Sequence, residues 1–167
     1  LDKDGLIPPL PPASDKDYLP SPPTAKAFAE CCNEFWWVSA YGAKGLWRRE
    51  ILYAKHFLDH HAREQLMRMI DRQIAQRTEF SGNTSKYGKY ASRYLDEPHW
   101  RMLLGTYSDA SYGNTWKALL AACALFREIA MQVAACHGFD YPHEDDRRVS
   151  AHLEHVRRLP GDAREIY

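Results

Sequence analysis

The run from Phe35 to Glu50 (Phe-Trp-Trp-Val-Ser-Ala-Tyr-Gly-Ala-Lys-Gly-Leu-Trp-Arg-Arg-Glu) holds more chemistry than a core requires. Trp36 and Trp37 are neighbours about 100° apart on a helix, so one apolar stripe does not easily bury both. Tyr41, Lys44 and Arg48 follow on a related face at i, i+3 or i+4 spacing. Gly42 and Gly45 thin the backbone beside them, which leaves room for a bulky ligand or a neighbouring chain. Aromatic planes next to a cation and an acid suit a polar, ring-shaped ligand. The planes supply contact area and the charges fix orientation.

Three other groupings need weighing. His56 and His60 stand at i, i+4, a possible two-ligand metal face, but no third ligand is evident and no metal is expected. Lys86, Lys89 and Arg93 alternate with Tyr87, Tyr90 and Tyr94, a pattern that in isolation suits single-stranded nucleic acid. Against that, lysine plus arginine equals aspartate plus glutamate at 22 each, which removes the global basic excess such a partner needs. A solvated face or an interdomain contact is the expectation there. The cysteines, Cys31, Cys32, Cys123 and Cys136, form no C-x-x-C pair and read as small apolar helix residues in a reducing compartment.

Helices must position all of these. Prolines 8, 9, 11, 12, 20, 22 and 23 make residues 1–23 an extended linker or arm. From Thr24, a plausible N-cap, every longer apolar pattern has the helical period. The first helix carries Phe28, Cys31, Cys32, Phe35, Val38 and Ser39 on one side, and further helices are expected over about Leu46–His60 and Arg63–Gln76. A short tyrosine-rich helix follows, and Asp96-Glu97-Pro98 opens another. The longest runs from about Ser111 to His137 and stops at Gly138. A charged helix then extends to Leu159. The expected fold is an all-α bundle of about six to seven helices with one long central helix, occupying residues 24–160, with 161–167 as a loose tail. No stretch is expected to approach the ~20 apolar residues of a membrane span.

The run F-W-W-V-S-x-Y-x-x-K-G-L-W-R-x-E-x-L-x-A resembles the aminoglycoside 6-adenylyltransferase (streptomycin adenylyltransferase) family. Leu103-Leu104-Gly105-Thr106-Tyr107-Ser108, Ala124-Leu125-Phe126-Arg127-Glu128 and Gly138-Phe139-Asp140-Tyr141-Pro142 continue the resemblance in order. The family implies an N-terminal nucleotidyltransferase domain before a C-terminal helical one, with AMP moved from ATP to a streptomycin hydroxyl in the presence of Mg2+. Its catalytic half carries a Gly-Ser turn and a D-x-D pair, two carboxylates facing one way on a strand to hold metal. Asp2-Lys3-Asp4 and Asp15-Lys16-Asp17 match D-x-D formally but follow no Gly-Ser turn. The chain is therefore expected to lack catalytic residues, to bind neither ATP nor Mg2+ alone, and to be inactive without the other half.

The resemblance assigns Lys44 to the triphosphate; by residue type the Tyr41 ring and the Ser39 hydroxyl are further nucleotide contacts, the alternative for Ser39 being a bond to its own helix backbone. By residue type Trp37 is a stacking plane for the substrate, and Glu50 and Asp59 are acids for the guanidinium groups of streptomycin, the alternative for Glu50 being a surface acid beside Arg49 or Lys55. Trp36 is expected in the core. The implied partners are an aminoglycoside and the N-terminal domain, in the cytoplasm, with no nucleic acid and no membrane. The alternatives are a stand-alone helical ligand- or protein-binding module, or a divergent transferase acting on another hydroxyl acceptor.

Overall fold

The computed structural model describes residues 12, 14, 16–160 and 163–166. The Asp2-Lys3-Asp4 match, Asp15 and most of the proline-rich arm lie outside them. Among the described residues the fold is all helix, without strands: α1 (Ala25–Trp47), α2 (Ile51–His56), a π-helical turn (Phe57–Ala62), α3 (Arg63–Arg77), α4 (Glu97–Gly105), α5 (Tyr112–His137) and α6 (His143–Arg158).

Local sequence sets most of the helix ends. The Thr24 hydroxyl accepts from the Ala27 N–H, the Asp96 carboxylate from the His99 N–H, and the Ser111 hydroxyl from the Asn114 N–H. Each side chain satisfies an N–H with no partner inside its helix. At the far end of α5, Gly138 takes left-handed angles (φ 67°, ψ 32°), and the next N–H, of Phe139, bonds the Ala134 carbonyl.

Two expected boundaries move. α1 runs past Ser39, through Gly42 and Gly45, to Trp47, into the stretch expected to open the second helix at Leu46, and the chain breaks at Arg49, whose φ is 59°. The glycines admit the chain's own helices. A Cβ at Gly42 would sit 3.6 Å from Leu119, and one at Gly45 would meet Tyr53 at 2.8 Å and the Ala54 backbone at 2.9 Å. The helices expected at Leu46–His60 and Arg63–Gln76 are one rod, because α2, the π turn and α3 continue without a break over 51–77. Ala54, Leu58, Ala62, Leu66 and Ile70 are all buried at a strict spacing of four. At 3.6 residues per turn that stripe drifts by about 40° per step, and one wide turn absorbs the drift. With the tyrosine-rich segment reduced to two 3-10 turns, Lys86–Gly88 and Ala91–Arg93, five rods replace the six to seven expected.

α1 lies at the centre, packed against α2, the π turn, α3, α5 and α6, while α3 and α4 pack on α5. Phe35 of α1 stacks on Phe126 of α5 at 3.8 Å, and Trp36 meets both rings edge-on. Each such buried side chain contributes about 1.5–3 kcal/mol. Trp36 is 1% exposed and Trp37 59%, so one of the adjacent indoles is core and the other surface.

A clamp ties α6 to α5. Arg127 donates to Asp146 from Nε (2.6 Å) and Nη2 (2.5 Å), and the hydroxyls of Tyr141 (2.8 Å) and Ser150 (2.9 Å) donate to the same carboxylate.

The expectation that no segment nears spanning length is corrected by α5, whose 26 residues are long and apolar enough to cross a membrane. Half of its apolar window is buried among the other helices, as for the core helix of a bundle.

Candidate functional site

An aromatic ladder crosses from α1 to the π turn. Trp37 and Tyr41, one turn apart, stack at 6.3 Å with 26° between their planes. Tyr41 continues onto Phe57 at 5.0 Å and 15°, and Phe57 onto His61 at 5.1 Å and 30°. Tyr53 leans on Phe57 at 4.8 Å. The π turn carries both outer rings, so the register that buries Leu58 and Ala62 also turns Phe57 toward α1.

A cavity of about 310 Å³ opens beside this ladder, lined by Tyr41, Lys44, Trp47, Arg48 and His152, with Ile166 against it. Lys44 Nζ lies 6.0 Å from the Tyr41 centroid. Among the described residues neither Lys44 nor Arg48 forms an ion pair. Burial, and then the neighbouring His155, hold the His152 imidazole below its usual range. With His152 so held, the described lining of the cavity presents two cations and no acid at neutral pH. Such a site attracts an anion.

A second cavity, of about 490 Å³, lies along the π turn and α3. Asp59, Arg63, Met67 and Asp71 form one ridge of it at four-residue steps, His60, Glu64 and Arg68 form the next, and Tyr87 and Tyr107 stand at its rim. Lys55 bonds Asp59 at 2.9 Å and the Ser108 carbonyl at 2.8 Å. Arg63 donates to the Thr106 carbonyl at 2.7 Å and to its hydroxyl, and its guanidinium lies 3.9 Å from the Tyr107 centroid. Glu64 pairs with Arg68 at 2.6 Å, and the Thr84 hydroxyl donates to Asp71 at 2.7 Å. Burial pushes the Asp71 carboxyl above its ordinary range, opposed by that hydroxyl.

The structure brings Lys44 and Tyr41 together in the first cavity and puts Asp59 in the second. Trp37 is exposed at the end of the ladder, over a shallow groove with Asn33 and Arg148. Ser39 is fully buried and donates to the Phe35 carbonyl of its own helix at 2.8 Å, so its hydroxyl faces neither cavity. Glu50 is exposed before α2, where its N–H bonds the Gly45 carbonyl, and it lines neither cavity. His56 Nε2 meets His61 Nε2 at 3.2 Å rather than a metal-ligand set; among the described residues no three His, Cys, Asp or Glu side chains could hold a metal. The cations of the tyrosine-rich segment lie over its own rings, Lys89 at 5.1 Å and Arg93 at 3.9 Å from the Tyr90 centroid. Arg63, Asp71, Tyr87 and Tyr107 were not singled out from sequence as site residues. The four-residue ridge from Asp59 to Asp71 was the signal that could have found the first two.

A cationic cavity and a carboxylate-bearing one thus stand on one all-helical scaffold, with the aromatic ladder between α1 and the π turn. The sequence matches the family described as streptomycin adenylyltransferase over residues 1–156, and the chain belongs to that family, corresponding to its C-terminal domain. It is 40% identical over 146 residues to an aminoglycoside 6-adenylyltransferase of Bacillus subtilis (strain 168), covering 87% of this chain and 51% of that protein. Against an aminoglycoside 6-adenylyltransferase of Campylobacter jejuni it is 38% identical over 149 residues, covering 88% and 51%. A crystal structure of an aminoglycoside 6-adenyltransferase from Bacillus subtilis superposes with a TM-score of 0.77 at 36% identity, over 94% of this chain and 59% of that one. The chain spans about half the length of the curated relatives it matches.

Proposed function

We propose that this chain is the substrate-side helical domain of an aminoglycoside O-adenylyltransferase that confers antibiotic resistance, acting in the cytoplasm on a streptomycin-like drug. Residues 24–160 form this domain, reached through the arm at 1–23 from an N-terminal nucleotidyltransferase domain, with 161–167 as a tail. The observation that carries the reading is the cavity in which Lys44 and Arg48 lie beside Tyr41 with no carboxylate among the described lining residues. An ammonium there serves a triphosphate as a point charge, and the Tyr41 ring and the exposed Trp37 ring offer planes to stack on. Asp59, and Glu50 from the start of α2, supply negative charge for the cationic drug. Ser39 stays in the proposed nucleotide set only as the residue that fixes this stretch of α1.

ATP is the AMP donor in this reading and Mg2+ its companion ion. In this reading Lys44 and Arg48 meet the phosphates, and the carboxylates for Mg2+ are those of the nucleotidyltransferase domain. That domain also supplies the transfer chemistry. This chain's residues hold and orient the two substrates, which lowers the barrier by bringing the hydroxyl and the phosphoryl group into one geometry.

The test is AMP transfer from ATP to streptomycin, with Mg2+, by the protein that carries this chain together with its nucleotidyltransferase domain. Lys44→Ala is expected to lower kcat/KM for ATP by about 10–100-fold with little change in KM for the drug. Glu50→Ala and Asp59→Ala are expected to act mainly on the drug. Absence of transfer in the unaltered protein sinks the assignment, and wild-type kinetics in all three variants sinks the site map alone.

A further inference from the structure

The second cavity holds a carboxylate that no cation among the described residues pairs with. Of the three acids lining it, Asp59 pairs with Lys55 and Glu64 with Arg68. Arg63, next to Asp59 on the ridge, is held by Thr106 and the Tyr107 ring. Asp71 has a single hydroxyl donor, Thr84, and no ion pair among the described residues. A carboxylate taken partly out of water with one neutral donor is destabilised, and natural structures retain such a group where a partner arrives from outside.

The surroundings narrow that partner. A bare metal ion needs several ligands converging on one point, and the described residues offer no such set. A large cavity with two phenol rings and the Met67 side chain suits an organic cation. The Arg63 guanidinium already lies 3.9 Å from the Tyr107 centroid, so one rim ring takes a guanidinium within the chain. The other rim ring, Tyr87, is 90% exposed.

It is held there by a strained loop. Ser85, Tyr87 and Gly88 all have positive φ (63°, 60° and 70°), and a Cβ on Gly88 would meet Met67 Cε at 2.5 Å. Strain of this kind persists only where neighbouring contacts enforce it. Thr84 anchors the loop twice: its carbonyl accepts from the Tyr90 N–H at 2.8 Å and its hydroxyl is the donor to Asp71.

We infer that Asp71 is the anchoring residue for a guanidinium of the drug, bound in the cavity between α3 and the Thr84–Gly88 loop with Tyr87 over it. The inference rests on the aminoglycoside reading above and deepens it, because a planar guanidinium pairs with a carboxylate through two parallel N–H donors. Asp71 thus binds substrate and sets specificity for guanidinium-bearing drugs, while Asp59, already paired, shapes the field around it.

The test is direct titration of streptomycin, with spectinomycin as a guanidinium-free control, into the unaltered protein and into Asp71→Asn. Asparagine keeps the shape and an acceptor for Thr84, and it removes a desolvated charge. The expected result is streptomycin binding weakened at least about tenfold, with an unfolding midpoint equal to or above the wild-type value. A purely structural Asp71 would lower the midpoint and leave the drug affinity of the folded fraction unchanged. If streptomycin is bound and adenylylated and Asp71→Asn retains wild-type affinity, the inference falls and the function stands. If the unaltered protein binds no streptomycin, both fall. Equal loss of streptomycin and spectinomycin binding also overturns the guanidinium assignment.

Discussion

Asp146 and Asp71 are both largely removed from water, and their surroundings are opposite. Burial alone would raise the Asp146 carboxyl, but the hydrogen bonds from Arg127, then Tyr141 and Ser150, outweigh it and hold the group below the usual carboxylate range. Asp71 has one such donor, and burial prevails. Among the described residues the first carboxylate has a cation and the second has none. A depressed folded-state value means that Asp146 stabilises the fold above the unfolded carboxylate value of about 3.9. That stability disappears as pH falls through the lower folded value. Asp146→Asn should therefore cost about 3 kcal/mol at neutral pH, since it breaks a buried pair and leaves Arg127 unmatched. In urea titrations across pH the gap between the two proteins should narrow below about pH 4; a constant gap would show that the carboxylate charge is not what is lost. At this scale the sequence was informative where adjacency alone decides. Trp36 and Trp37 cannot share a stripe, and burial divides them as expected. It was silent on Asp71, whose character comes from a hydroxyl 13 positions away on a loop that must first fold.

Among the elements, the α1–α2 corner and the π turn do most to place the site. The corner is tight because Gly45 lets the start of α2 approach to backbone contact, with Tyr53 beside it. Gly45→Ala should cost about 1–3 kcal/mol by overpacking, visible as a lower urea midpoint. It should also loosen the Tyr53–Phe57 contact, reducing drug and nucleotide affinity together. Unchanged stability would mean that the corner is not packed as described. Phe126→Ala removes the ring that stacks on Phe35 and faces Trp36, at a cost of about 3–5 kcal/mol in the same measurement. The helix ends at Thr24, Asp96, Ser111 and Gly138 were legible because a cap is a property of a few adjacent residues. The continuity of 51–77 was not. Its evidence is a period of four in place of 3.6, and short windows on either side of His60 each fit an ordinary helix.

For the whole molecule, the all-helical bundle and its long apolar helix followed from composition and period, while the central place of α1, the count of rods and the layout of the two cavities required packing. The cavities take their charge from different helices, the cationic one mainly from α1 and the carboxylate-bearing one from the π turn and α3, with the ladder between these elements. Packing also separates the four thiols. Cys31, Cys32 and Cys123 are buried on α1 and α5, while Cys136 is exposed near the end of α5. Burial raises Cys32 and Cys123 to about 12, which suppresses the reactive thiolate at neutral pH. A disulfide reagent should therefore titrate one thiol in the native protein and four in denaturant; two or more fast-reacting native thiols would contradict the packing of α1 on α5. Beyond the count, slow labelling of the three hidden sulfurs works as a clock on spontaneous opening of the core, and a tag on Cys136 leaves that clock running undisturbed.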